Sequence, residues 1–171
     1  VDDAAIVARQ IGRPPRAFRR VVVRCPWGRP AVTEQAPYDR EGRPFPTTYW
    51  ITCPHLVAAI SRLEAAGGVE RWSKAASDDP ELAASLLEAT AQQRHLRHAL
   101  AEGARGEDGG ASLDLGIGGS RAPRHLKCLH AHAAFALAQP GYLLGERILD
   151  EVGRLWPEDR CCSERLLCDA E

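Results

Sequence analysis

The chain reads as an α+β protein: a small antiparallel three-stranded sheet packed against about five helices. Three observations predict this. Residues 18–24 (FRRVVVR) and 47–52 (TTYWIT) are short runs rich in β-branched and aromatic side chains. Gly- and Pro-rich turn signals separate them. From residue 54 onward, apolar side chains recur at helical spacing in segments opened by Pro and closed by Gly. With 171 residues, 44% of them apolar and 26% charged, the chain can bury one core and is too apolar for wholesale disorder. One α+β domain is expected over residues 1–156, with residues 157–171 as a peripheral tail.

Taken in order, residues 2–11 form a short amphipathic helix ended by Gly12 and the Pro14-Pro15 pair. Residues 18–24 are the first strand and Cys-Pro-Trp-Gly its turn. Residues 31–35 are a weaker hairpin partner, and residues 47–52 are the third strand. Pro54 opens a helix over residues 55–66, closed by Gly67-Gly68. A short helical segment at residues 69–76 carries Trp72. Asp79-Pro80 caps a long helix to about residue 101, with Gly103 to close it. Residues 105–111 are a polar loop leading to the Gly118-Gly119 turn. Pro123 opens a helix over residues 124–138, and residues 143–156 form a terminal helix.

Six cysteines in a chain with no signal pattern are more often thiols or metal ligands than disulfides. In an up-down-up sheet the first and third strands finish at the same edge, and Cys25 and Cys53 follow those two ends. A strand lies between them, so their backbones should be roughly 10 Å apart, too far for an unbent disulfide. Each is followed by Pro, which holds the cysteine extended. Cys53 should be a helix N-cap, where free amides favour thiolate. If Pro123 starts a helix with about 100° per residue, His125, Cys128, His132 and Phe135 share a stripe bordering the apolar face. Cys128 and His132, four apart, could meet one metal ion.

These positions predict a zinc site of Cys25, Cys53, Cys128 and His132, with His130 or His125 as alternative or neighbouring partners. Sulfur and imidazole on a tetrahedral ion suit zinc. Cys161, Cys162 and Cys168 crowd the tail without an evident partner. Between residues 4 and 33 there are seven arginines and no acid, a run that could grip phosphates or be neutralised as a surface. The Gly118-Gly119 turn with Arg121 and Arg124, joined by Arg24, suggests an anion clamp for a phosphorylated small molecule or nucleic acid.

The ordered segments Arg24-Cys25-Pro26, Pro44-Phe45-Pro46-Thr47 with Tyr49-Trp50, Thr52-Cys53-Pro54, Ser61-Arg62-Leu63-Glu64, Gly116-Ile117-Gly118-Gly119 and Lys127-Cys128-Leu129-His130 resemble a bacterial family, domain of unknown function 501. The resemblance covers roughly residues 10–145. It implies a cytoplasmic bacterial protein in which Cys25, Cys53, Cys128 and His130 belong to the signature segments, and it supplies no activity. The chain departs at Phe135, where many relatives carry another His. Basic residues that are almost all Arg, with no Met, fit a GC-rich bacterial genome. No apolar run is long enough to span a bilayer, so no membrane contact is expected.

Two functional classes follow. One is a binding or regulatory protein with a zinc site beside an arginine-rich anion-binding surface. The other is a thiol- or metal-dependent hydrolase or transferase acting on a phosphorylated substrate. There Cys53 or Cys128 would be the nucleophile, His130 or His132 the acid/base, and Arg24, Arg121 and Arg124 the clamp.

Overall fold

The computed structural model describes residues 2–122 and 124–164. The elements run α1 (Asp3–Ile11), β1 (Phe18–Arg24), β2 (Pro30–Gln35), β3 (Tyr49–Ile51), α2 (Pro54–Ala65), α3 (Gly68–Asp78), α4 (Pro80–Ala101), α5 (Leu129–Ala138) and α6 (Leu143–Val152). Short 3-10 turns lie at Ala111–Asp114 and Ile117–Gly119. The expected α+β class holds, with the sheet in the order β1-β2-β3 and both pairings antiparallel.

Local signals set most boundaries. Asp2 caps α1 through its side chain, and Gly12 ends it in the left-handed region. The turn joining β1 to β2 closes by hydrogen bonds from the Cys25 amide to Arg29 O and from the Gly28 amide to Cys25 O, both 2.9 Å. Gly28 sits there at φ +76°, which a side chain would strain. Asp79 accepts from the amides of Glu81 and Leu82 and, with Pro80 behind it, starts the 22-residue α4.

One boundary differs from expectation and matters for the site. The helix expected over residues 124–138 begins only at Leu129, with Cys128 extended at its N-cap (φ −157°, ψ 148°). Contacts remote in sequence override the local start signal. Ser73 Oγ accepts from the Leu126 amide at 3.1 Å, and the Glu64 carboxylate accepts from the Leu129 amide at 2.6 Å. Those bonds hold the preceding residues as an irregular segment with Leu126 fully buried. His125 is therefore off the helix, and the expected stripe of His125, Cys128, His132 and Phe135 does not form.

α5 is the centre of the molecule, packed against α6, β3 and α2. Its segment LHAHAAFALA is apolar nearly all round, as a helix enclosed on every side must be. Small residues let α6 approach it closely. A Cβ added at Gly145 would lie 2.6 Å from Ala136 Cβ and 2.7 Å from the His132 carbonyl oxygen. Gly145→Ala is accordingly expected to lower the unfolding free energy by about 1–3 kcal/mol, read by urea denaturation, because two packed helices must separate.

Candidate thiol site

β1 and β3 both run antiparallel to β2, so they point the same way and deliver Cys25 and Cys53 to one edge of the sheet. Cys53 is the N-cap of α2 with Pro54 at the first turn, as its sequence predicts. The next ligand-like groups come from the C-terminal end. A single helical turn at residues 162–164 docks beside α1, where the Gln10 amide nitrogen donates to Pro30 O at 2.9 Å and to Ser163 Oγ at 2.8 Å. This seats two consecutive cysteines across the strand ends. Cys161 Sγ lies 3.7 Å from Cys25 Sγ, and Cys162 Sγ lies 3.6 Å from Cys53 Sγ.

The four sulfurs differ in their surroundings. Cys25, Cys53 and Cys161 are buried, while Cys162 is partly exposed. A hydrogen bond from Cys53 outweighs the effect of burial and holds the Cys162 thiol well below its ordinary range, with the His55 amide adding to it. Cys53 moves the opposite way, raised by its bond to Cys162 and then by burial. Burial also pushes the Cys161 thiol up.

The other expected ligands lie elsewhere. Cys128 caps α5, where burial raises its thiol against the pull of the Ala131 and His130 amides. His130 joins α5 to α2: Nδ1–H donates to Glu64 Oε1 at 3.1 Å, and Nε2 is 3.2 Å from Val57 O and 3.3 Å from Ser61 Oγ. His132 is fully enclosed, with Nδ1 2.8 Å from the Tyr142 hydroxyl and no partner at Nε2 among the described residues. The set Cys25, Cys53, Cys128 and His132 is thus divided among separate neighbourhoods. Among the described residues no group of three or more His, Cys, Asp or Glu side chains stands ready to hold a metal ion. Cys168 lies outside the described residues.

The expected anion clamp is divided as well. Arg24 forks onto the Asp3 carboxylate at 3.0 and 2.7 Å, which holds that carboxyl below its usual range. Arg121 is exposed, and Arg124 lines a shallow groove of about 520 Å³ with Lys74 and His125. The Gly-rich turn takes up its own amides: Gly116 donates to Ser120 O at 2.7 Å and Gly119 to Gly116 O at 3.0 Å. Much of the N-terminal basic run is met by acids, with Arg20 forked onto Glu34 at 3.0 and 3.1 Å and Arg16 3.6 Å from Asp39.

Sequence reasoning missed Cys161, Cys162 and His55 as site residues. The available signal was the tandem Cys-Cys itself, since neighbouring residues can serve two partners only when those partners sit side by side. The architecture defines a class: an α+β protein whose strand-end thiols meet a tandem cysteine from the C-terminal turn. Over residues 21–150 the sequence matches the family described as "Protein of unknown function (DUF501)", and the chain belongs to that family. The matched span includes Cys25, Cys53 and Cys128 and ends before Cys161. No curated protein and no solved structure matches the chain. No helix among the described residues is long and apolar enough to cross a membrane.

Proposed function

We propose that the chain is a thiol-based regulatory or binding protein whose C-terminal turn is fastened to the sheet edge by two dithiol pairs, with their oxidation state controlling the fastening. The observation that carries this is the double approach of sulfurs, 3.7 Å for Cys25 and Cys161 and 3.6 Å for Cys53 and Cys162. A disulfide needs about 2.05 Å, so each pair must close by roughly 1.6 Å. Reduced, the pairs are contacts between thiols; oxidised, they are covalent anchors.

The test is to oxidise fully reduced protein with diamide and map the cysteine-containing peptides. Crosslinks 25–161 and 53–162 are expected, with a loss of two hydrogens per pair and slower tryptic cleavage after Arg160 than in the reduced protein. Crosslinks among other cysteines, or none, would sink the reading.

Zinc is the second reading for the same thiols. The two sulfur separations, 3.7 and 3.6 Å, are close to the edge of a tetrahedron with Zn–S bonds of about 2.3 Å, which is about 3.75 Å. The pairs would have to draw together around the ion. One zinc per chain in protein made under reducing conditions, lost in a Cys161→Ser/Cys162→Ser variant, would favour this reading over the first.

A further inference from the structure

Beside Cys162 the surface opens into a pocket of about 490 Å³, lined by His55, Pro157, Glu158, Asp159, Arg160 and Cys162. Its partner Cys53 is behind it, buried and 3.6 Å from Cys162 Sγ. One sulfur of the pair therefore faces a cavity large enough for a small molecule, and the other is shielded by it. The walls carry both signs of charge, Glu158 and Asp159 on one hand and Arg160 on the other, with the His55 ring as a further polar group. Such a lining suits a ligand bearing an ammonium and a carboxylate together. Glu158 is also paired with Arg154, and His55 Nε2 lies 3.4 Å from Arg154 O, so the pocket wall is tied to the segment that follows α6.

We infer that this pocket admits a low-molecular-weight disulfide of zwitterionic character, and that Cys162 is the attacking sulfur and Cys53 the resolving one. The inference rests on the dithiol reading above and names its substrate class. In the first step the Cys162 thiolate attacks one sulfur of R–S–S–R, forming the mixed disulfide Cys162–S–S–R and releasing RS⁻. In the second the Cys53 sulfur attacks Cys162 Sγ, its proton goes to a released thiolate, and the second RS⁻ leaves. The remaining RS⁻ takes from solvent the proton that Cys162 gave up on ionising, so the dithiol loses two hydrogens in all and R–S–S–R becomes two thiols. The geometry fits this order, since Cys162 lines the pocket while Cys53 is buried behind it, and the bonds from the Cys53 thiol and the His55 amide lower the pKa of the Cys162 thiol. Thiolate is the attacking species in such exchange.

The experiment uses the reduced full chain and two probes at neutral pH, cystine and the uncharged bis(2-hydroxyethyl) disulfide. Rapid acid quenching and peptide mapping of wild-type protein should find the first adduct on Cys162 and the later product as the 53–162 disulfide. The Cys53→Ser variant should stop at a stable adduct on Cys162. Cystine should react on the order of tenfold faster than the uncharged probe, as expected for a charge-complementary site. A first adduct on Cys25, Cys53 or Cys161, or equal rates for the two probes, would overturn this inference while leaving the dithiol reading intact. A wild-type chain that forms no 53–162 disulfide even with diamide would overturn both. The wild-type quench needs no variant to fold.

Discussion

Arg97→Ala is expected to cost about 3–5 kcal/mol of stability, the range for breaking a buried charged group's contacts and leaving a cavity. Arg97 is 0% exposed although it lies on α4, a helix with polar residues on most faces. Its Nε–H donates to Ser112 O at 3.1 Å and an Nη–H to Phe45 O at 3.0 Å. One side chain thus pins two loops, before β3 and after α4, onto the same helix. Alanine would leave the Phe45 carbonyl unpaired, the Ser112 carbonyl with only the Leu115 amide at 3.4 Å, and a hole where the guanidinium was. Arg97→Met, which refills most of the volume and restores no hydrogen bond, should recover part of the loss. Urea denaturation of both variants at neutral pH measures the two contributions, and a loss below about 1 kcal/mol for alanine would show that water replaces the side chain readily.

His132 should make stability depend on pH in a direction opposite to that of a salt-bridged histidine. Burial alone pushes its pKa down to about 3, whereas the unfolded chain titrates near about 6.5. The folded state therefore holds this ring neutral while the unfolded state gains a proton as pH falls. The stabilisation is fully present above about pH 6.5 and is lost progressively as pH drops toward about 3. At about pH 4.5 the loss is of the order of 2–3 kcal/mol. A His132→Phe variant, paired with Tyr142→Phe so that the hydroxyl is not left alone, should lack this slope. The check is the difference between the two proteins' denaturation free energies across pH 4–7; parallel curves would refute the assignment.

The fold was legible wherever a signal is local. FRRVVVR is β1 to the residue, and Cys53-Pro54 and Asp79-Pro80 start α2 and α4 as caps. What was not legible depends on partners remote in sequence. The start of α5 is set by Ser73 and Glu64, 53 and 65 residues away from the amides they hold. Arg97 looks like a surface residue until the two carbonyls it serves are known. The candidate site divides in the same way. Cys25 and Cys53 could be placed at one sheet edge by strand direction alone. Their partners could not, because a Cys-Cys dipeptide has no periodicity that points to an edge, and a wrong helix start had drawn attention to Cys128 and His132.

The clasp at the strand ends also has a topological meaning. Cys25 and Cys161 are 136 positions apart, so a covalent bond between them would turn most of the polypeptide into a closed ring. Loop-closure entropy for a ring of that size removes about 5 kcal/mol worth of freedom from the unfolded chain. The redox potential of that one bond and the resistance of the whole domain to unfolding would then be a single linked quantity, with stability rising on oxidation and the bond harder to reduce in the folded protein than in the unfolded one.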